Sequence, residues 1–367
     1  MIRAGTDRPG WHMKKAIMTR IHLAVVSGGD APGINTALLE LVQAADLHGD
    51  IVLGATGGFA GLVAGRVARL HARDLVAYAG LGGSSIRSSR DPVLKEAHGR
   101  EQLATRLREH AVDDLILFGG NGTLRYIPPI LADLGVATVG IPTTIDNDIG
   151  GTDTTLGFDT ACNYAYHVID GIRATAHALE GRFFTLETLG GDVGTLALAI
   201  ADGAGADAVL VPEYTDYSLD HIAAHLKAAA ERKGHALLVY TEFIPMREQV
   251  LRALPDMMGM RLRDTRLGHA QRGGAASHRD RVLARTWARM AIDALGGGLK
   301  MGVVVERGGR LLVHEGLLDG YAAVPPDHAL YMRINRMGTG AAGPDQVEGA
   351  AGPNKAEGAA GPDVAGS

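Results

Sequence analysis

Short apolar runs alternate along this chain with longer stretches in which apolar residues recur every three or four positions. The runs Ile21–Ser27, Ile51–Thr56, Leu115–Phe118, Val136–Ile141, Phe183–Thr188, Ala208–Val211, Leu237–Thr241 and Met301–Val305 predict buried strands. The stretches Gly33–Leu47, Leu94–His110, Leu124–Leu134, Asp159–Ala178, Val193–Ala201, Leu219–Arg232 and Arg279–Leu295 predict helices. Strand followed by helix, repeated, implies an α/β fold of parallel sheets covered by helices on both faces. In such folds ligands bind beyond the carboxyl ends of the strands, so the residues that follow strands are the informative ones.

The two ends of the chain lack this pattern. Residues 1–20 mix Arg, Lys, Gly and Pro without periodicity and read as a flexible extension, with Met13 or Met18 as alternative starts. From Gly340 the nonapeptide G-A-A-G-P-D-Q-V-E recurs in altered form at Gly349 and again from Gly358, so residues 338–367 read as a disordered Gly/Ala/Pro tail. The 367 residues suggest about two domains, and 46% hydrophobic with 21% charged residues is globular composition. A net charge of -5 gives no basic footprint for nucleic acid. Without a secretory or membrane-spanning apolar run, and with Cys162 the only cysteine, the chain reads as cytoplasmic, with no disulfide framework and no membrane partner. Cys162, on a helix, reads as a packing residue.

Three strand ends carry candidate chemistry. Ser27-Gly28-Gly29-Asp30-Ala31-Pro32-Gly33 opens into a helix, and so does Gly119-Gly120-Asn121-Gly122-Thr123. Each is either a structural turn or a place where backbone N–H groups meet phosphate at a positive helix end; neither matches the Rossmann or Walker pattern. Two in one half of the chain favour a polyphosphate. The third strand end gives Pro142-Thr143-Thr144-Ile145-Asp146-Asn147-Asp148. Two carboxylates two residues apart suit hydroxyl activation and magnesium binding, the alternative being a solvated turn.

Taken together, G-G-D-A-P-G-I-N, the Gly83–Arg90 segment ending S-S-R, T-I-D-N-D, G-F-D-T-A and L-G-H-A-Q-R-G-G at Leu267–Gly274, followed by Asp280-Arg281, resemble the 6-phosphofructokinase family, in its bacterial ATP-using form, from about Ile21 to about Asp319. The resemblance implies two doubly wound parallel-sheet domains with the active site in the cleft between them. It places a donor domain at 21–157 and 271–320 and a sugar-phosphate domain at 158–270. It also implies a homo-oligomer, dimer or tetramer, in which a neighbour completes the sugar-phosphate pocket.

Carried over by position, Asp146 falls on the catalytic base, Asp148 on the accompanying acid, Arg90 on the arginine bridging donor and transferred phosphate, and Thr144 on a hydroxyl near the acceptor. Gly28, Gly29, Asp30, Gly120, Asn121, Gly122, Thr123 and Tyr126 fall on the donor side. Glu242, Leu189, His269 and Arg272 fall on the sugar phosphate, with Arg182 and Arg263 reaching across from the neighbour. ATP or another nucleoside triphosphate is the implied co-substrate and Mg2+ the metal, held by Asp148 and, weakly, by Asn121.

Departures cluster on the donor side. Asn121 replaces the family's metal-binding Asp, and an amide oxygen is a weaker ligand for a hard cation than a carboxylate. Thr143 matches neither the Gly of ATP users nor the Lys of pyrophosphate users, and Tyr126 stands where Gly is usual. Gly191 replaces an arginine and Leu189 a methionine. Leu39, Gln43 and Ala72 lack the charges of the bacterial effector site, which argues against control by a nucleoside diphosphate. The expected function is magnesium- and ATP-dependent phosphorylation of a ketohexose 6-phosphate, by default fructose 6-phosphate to the 1,6-bisphosphate. The alternatives are an epimeric acceptor such as allulose 6-phosphate or pyrophosphoryl transfer, and, in a different class, a catalytically silent sugar-phosphate-binding regulatory subunit.

Overall fold

The computed structural model of the chain describes residues 19–90, 92–179, 181–318 and 325–337. Both proposed terminal segments, 1–18 of the first and all of 338–367, lie outside them. Arg20, counted with the N-terminal extension, is instead anchored: its N–H donates to Asp50 Oδ1 at 2.8 Å and its Nη2 lies 2.7 Å from Asp114 Oδ2.

The first half runs β1 (Ile21–Ser27), α1 (Ile34–His48), β2 (Ile51–Ala55), α2 (Gly58–Val63), β3 (Val67–Arg69), α3 (Ala72–Leu75), α4 (Ala97–Glu109), β4 (Asp114–Gly119), α5 (Asn121–Asp133), β5 (Ala137–Thr144) and the two-residue β6 (Leu156–Gly157). Then come α6 (Phe158–Ala178), β7 (Arg182–Thr188), α7 (Thr195–Ala204), β8 (Ala208–Leu210), α8 (Leu219–Lys233), β9 (His235–Thr241), α9 (Arg247–Met258) and β10 (Arg261–Arg266). The chain ends with α10 (His278–Gly296), β11 (Met301–Arg307), β12 (Arg310–Glu315) and α11 (His328–Ile334).

Two sheets result. One is eight-stranded in the order β12-β11-β5-β4-β1-β2-β3, with β6 beside β5; the other is four-stranded in the order β10-β7-β9-β8. The second is parallel throughout. The first is parallel except where β3 pairs with β2 and β12 with β11, both antiparallel edges that the expectation of parallel sheets did not include. Apolar residues on either side of the large sheet form separate cores. Val26, Leu38, Trp287 and Ile292 pack between β1, α1 and α10; Leu23, Leu103, Leu117 and Leu131 pack against α4 and α5. The predicted helix Leu94–His110 is broken: Val93–Lys95 form a short 3-10 turn, and Glu96 is extended before α4 begins.

The sheets are joined through the start of α6. Buried Asp280, in the first turn of α10, accepts from the Gly157 N–H at 3.0 Å, the Thr160 N–H at 2.8 Å and the Thr160 hydroxyl at 2.5 Å. It thereby satisfies orphan donors at the N-terminus of the helix that leads into the second sheet. Cys162 is buried in the same helix, where burial pushes its thiol up to about 12.

Candidate functional site

The carboxyl ends of β1, β4 and β5 converge because these strands are neighbours in register, Ser27 beside Gly119 and Gly119 beside Pro142. The two glycine turns are tied together by the Thr123 hydroxyl, which donates to the Ser27 carbonyl at 3.1 Å. The Gly83–Arg90 loop joins them: Gly28 N–H donates to Ser89 O at 2.9 Å, and the Ser88 hydroxyl to Gly28 O at 2.7 Å. Gly29 lets the Arg272 side chain come close. A Cβ there would stand 2.3 Å from Arg272 Nη1 and 3.4 Å from Arg90 Nη2, so two guanidinium groups flank bare backbone.

Asp146 and Asp148 follow β5 on a turn whose middle residue, Asn147, has φ 52°, a left-handed conformation that asparagine tolerates. Asn147 Nδ2 donates to Asp153 O at 3.3 Å, and the Thr155 hydroxyl lies 2.7 Å from Thr144 O and 3.1 Å from Asn147 Oδ1. The β11–β12 turn braces the far side. Glu306 O accepts from Asp153 N–H at 2.7 Å, Arg307 Nε donates to Gly151 O at 2.7 Å, and Gly308 N–H donates to Asp153 Oδ2 at 2.6 Å. Asp146 Oδ1 and Asp148 Oδ1 are both buried with no hydrogen-bond partner among the described residues.

Burial pushes the Asp146 carboxyl above its ordinary range, against the pull of Arg272, the Thr144 hydroxyl and Arg90. Burial also raises Asp148, with the Asp146 charge adding to it and the Asn121 side chain opposing through a hydrogen bond. A raised carboxyl is a better proton acceptor near neutral pH than an ordinary one. Among the described residues there is no cluster of three or more His, Cys, Asp or Glu side chains placed for a metal. Mg2+ keeps several waters and is commonly held through one or two carboxylates plus substrate phosphates. Two open carboxylate oxygens beside a phosphate-sized cavity fit that ion.

Three adjoining cavities share Gly28 and Arg90. The central one, about 260 Å3, is lined by Gly29, Gly120, Asn121, Gly122, Thr123, Thr144, Asp146, Asp148 and Arg272. To one side a cavity of about 770 Å3 has a largely apolar lining of Phe59, Leu94, Tyr126, Ile127 and Ile130, with Lys95 and Arg100 at its edge. To the other a polar cavity of about 430 Å3 holds Gly29, Asp30, Arg87, His269 and Arg272.

A family model described as "Phosphofructokinase" matches residues 22–295. The chain belongs to the phosphofructokinase family. The ATP-dependent 6-phosphofructokinase of Lysinibacillus sphaericus is 38% identical over 272 residues, 74% of this chain and 84% of that one. That of Listeria welshimeri is 37% identical over 311 residues, 82% of this chain and 96% of that one. Among solved structures, Saccharomyces cerevisiae phosphofructokinase superposes with a TM-score of 0.74 at 25% identity, covering 81% of this chain and 45% of that longer one. A pyrophosphate-dependent phosphofructokinase from Marinobacter aquaeolei shares the fold, with a TM-score of 0.71 at 19% identity, covering 87% and 92%.

The other site residues expected from the phosphofructokinase motifs lie apart from these cavities. Buried Leu189 and half-buried Glu242 follow β7 and β9: the Leu189 N–H donates to Gln271 Oε1 at 2.9 Å, and Glu242 Oε1 lies 3.4 Å from the Gly191 N–H. Gly191 has φ 60° with no atom within 4 Å of a notional Cβ, so an arginine there would find space but a strained backbone. Arg182 and Arg263 sit on the adjoining strands β7 and β10, away from all three cavities; Arg263 is exposed, and Arg182 Nη1 is buried without a partner among the described residues. Neither motif nor periodicity assigned a role to Asn35, Ser88 or Lys95. Buried Asn35 holds the Gly83–Arg90 loop, accepting from Ser85 N–H at 2.7 Å and donating to Leu81 O at 3.1 Å. No helix of the described residues is long and apolar enough to cross a membrane.

Proposed function

We propose that the chain is a phosphotransferase that moves the γ-phosphoryl group of ATP to the primary hydroxyl of a ketohexose 6-phosphate, with fructose 6-phosphate the acceptor. The observation that carries this reading is the juxtaposition, across Arg90 and Gly28, of a large apolar cavity with two open carboxylates. A nucleoside fills the apolar cavity, where Tyr126 offers a face for its base; pyrophosphate has nothing to place there.

In this reading the backbone N–H groups that follow Gly28, whose own N–H is held by Ser89 O, and those of the Gly120–Thr123 turn cradle the donor phosphates. Asp146 accepts the proton of the acceptor hydroxyl as its oxygen bonds to the γ-phosphorus and the bond to the β-phosphate oxygen breaks. Arg90, which lines all three cavities, spans donor and transferred phosphate and offsets charge on the equatorial oxygens. Thr144 orients the acceptor hydroxyl. Asp148, with the weaker Asn121, holds Mg2+, which when bound supplies charge to the phosphate oxygens. His269, Arg272, Glu242 and Leu189 receive the sugar phosphate. Arg182 and Arg263, remote from the cavities of their own chain, serve a second copy in a homodimer or homotetramer. The donor residues are grouped as 21–157 with 271–320 and the sugar side as 158–270, in a cytoplasmic enzyme.

Incubation with ATP, Mg2+ and a panel of ketohexose 6-phosphates, with products identified by mass and phosphorus NMR, tests the reading. Fructose 1,6-bisphosphate with ADP is the expected outcome. Preference for an epimeric acceptor corrects the substrate, a product bearing a diphosphate corrects the transferred group, and no transfer at all overturns the reading.

A further inference from the structure

Arg87 is one of five described residues other than glycine with a positive φ, 58°. Arginine has no local hydrogen bond that favours this conformation, unlike asparagine, so the surrounding loop must impose it. It does so from both sides. Ile86 is buried and its carbonyl accepts from Gly57 N–H at 2.8 Å; Arg87 N–H itself donates to Ser84 O at 3.0 Å; Ser85 is fixed by Asn35 and Ser88 by Gly28. The side chain so placed is exposed and has no carboxylate partner among the described residues. It lines the polar cavity with Arg90, His269 and Arg272, where Asp30 is the one carboxylate. Arg90 reaches all three cavities, whereas Arg87 lines only this one, on the side away from Tyr126 and the apolar pocket.

Three guanidinium groups and an imidazole against one carboxylate exceed what a neutral polyol needs and match a dianionic ester, whose oxygens accept charge-assisted bonds from planar donors. We propose that Arg87 is a specificity-determining ligand for the phosphate ester of the acceptor, the strain at its backbone being the cost of aiming a further cation into that cavity. The proposal rests on the reading of the site given above and deepens it, committing the polar cavity to phosphorylated acceptors.

The test uses Arg87→Gly and Arg87→Lys in the full chain. Glycine suits φ 58°, so Arg87→Gly should melt no lower than wild type, which separates loss of a ligand from loss of fold. Calorimetric titration with fructose 6-phosphate and with inorganic phosphate should show affinity for the ester falling about 10- to 100-fold in Arg87→Gly, the size of a charge-assisted bond. Arg87→Lys should recover part of it. In turnover, KM for the sugar phosphate should rise by the same factor, with a much smaller change in KM for ATP. Equal ester affinity in wild type and Arg87→Gly overturns the role of Arg87, whatever the turnover. Arg87-dependent binding without ATP turnover overturns the kinase reading alone. Absence of ester binding by the wild type overturns both.

Discussion

At the amino end of the large sheet, His22 Nδ1 lies 2.5 Å from Asp114 Oδ1 and its Nε2 3.4 Å from Asp50 Oδ2, while Arg20 closes on the other Asp114 oxygen at 2.7 Å. About one strand length away, at the carboxyl end, Asp146 and Asp148 each keep a buried oxygen without a partner among the described residues, with Arg90 lining the same cavity and Arg87 the adjoining one. Both ends bury charge. At one the protein supplies every counter-charge itself and so fixes where β1 and β4 begin. At the other, Arg272 and Arg90 act on Asp146 but burial prevails and one oxygen of each carboxylate stays open, a cost that a bound cation and phosphate would relieve. Self-sufficiency marks the stabilising end of the sheet; incompleteness marks the working end.

The sharpest break in this contrast is Asp114→Ala, which strands a buried imidazole and frees Arg20. It should cost about 3–5 kcal/mol in urea unfolding, with steady-state constants of the folded enzyme unchanged. A loss below about 1 kcal/mol would remove the network from any structural role. At the opposite end Asp146→Asn should lower turnover at least ~100-fold, yet the ligand-free variant should be more stable than wild type. The sign follows from its raised carboxyl. Such a group stabilises the fold fully below its unfolded pKa, and that contribution is lost as pH rises through the folded value. The stability gap between variant and wild type should therefore open as pH climbs past the ordinary carboxylate range and close in acid; a gap of the opposite sign would contradict the burial argument.

Intermediate in size, Asn147→Ala should cost about 10-fold in turnover, because a small displacement of a base is expensive. Asn147→Gly, which keeps the left-handed turn but drops both side-chain ties, should lie between it and wild type; the two variants behaving alike would mean that the turn itself does not position the carboxylates. The smallest expected effect is at His22. Burial works against its charge, but Asp114 and Asp50 outweigh it and its pKa is raised. Its contribution is thus complete below the ordinary histidine value and fades as pH rises through the raised one. Compared by denaturant midpoints, wild type should lose its advantage over His22→Gln across that interval, by an amount on the order of 1 kcal/mol. An advantage independent of pH would show that the ring is neutral throughout.

The strands with apolar runs were legible, Ile21–Ser27 to the residue and the others, such as β5, within a few residues at their ends, and the carboxylates after β5 drew attention because ligands bind where such strands end. The edges were not. β10 reads R-L-R-D-T-R, exposed on an edge, and β3 has three residues, so neither carries an apolar signal. Helix α9 was hidden by Pro255 near its end and by Met246, a left-handed residue, at its start. Arg87 shows the deeper limit. Sequence shows a basic residue in a loop, but the sign of its φ, which makes it informative, depends on Asn35 and Gly57 from elsewhere in the fold. Arg182 and Arg263 were placed by motif position, and neither lines any of the three cavities described above.

The turn of the β11–β12 hairpin braces the loop after Asp148 from some 150 residues further along the chain. On the ribosome, the glycine turns and both carboxylates emerge early, but this bracket is made only after the whole second sheet has appeared. A nascent or prematurely terminated chain therefore holds the chemical groups of the site without the geometry that aligns them. Alignment of the site thus waits on a hairpin that is synthesised after the second sheet.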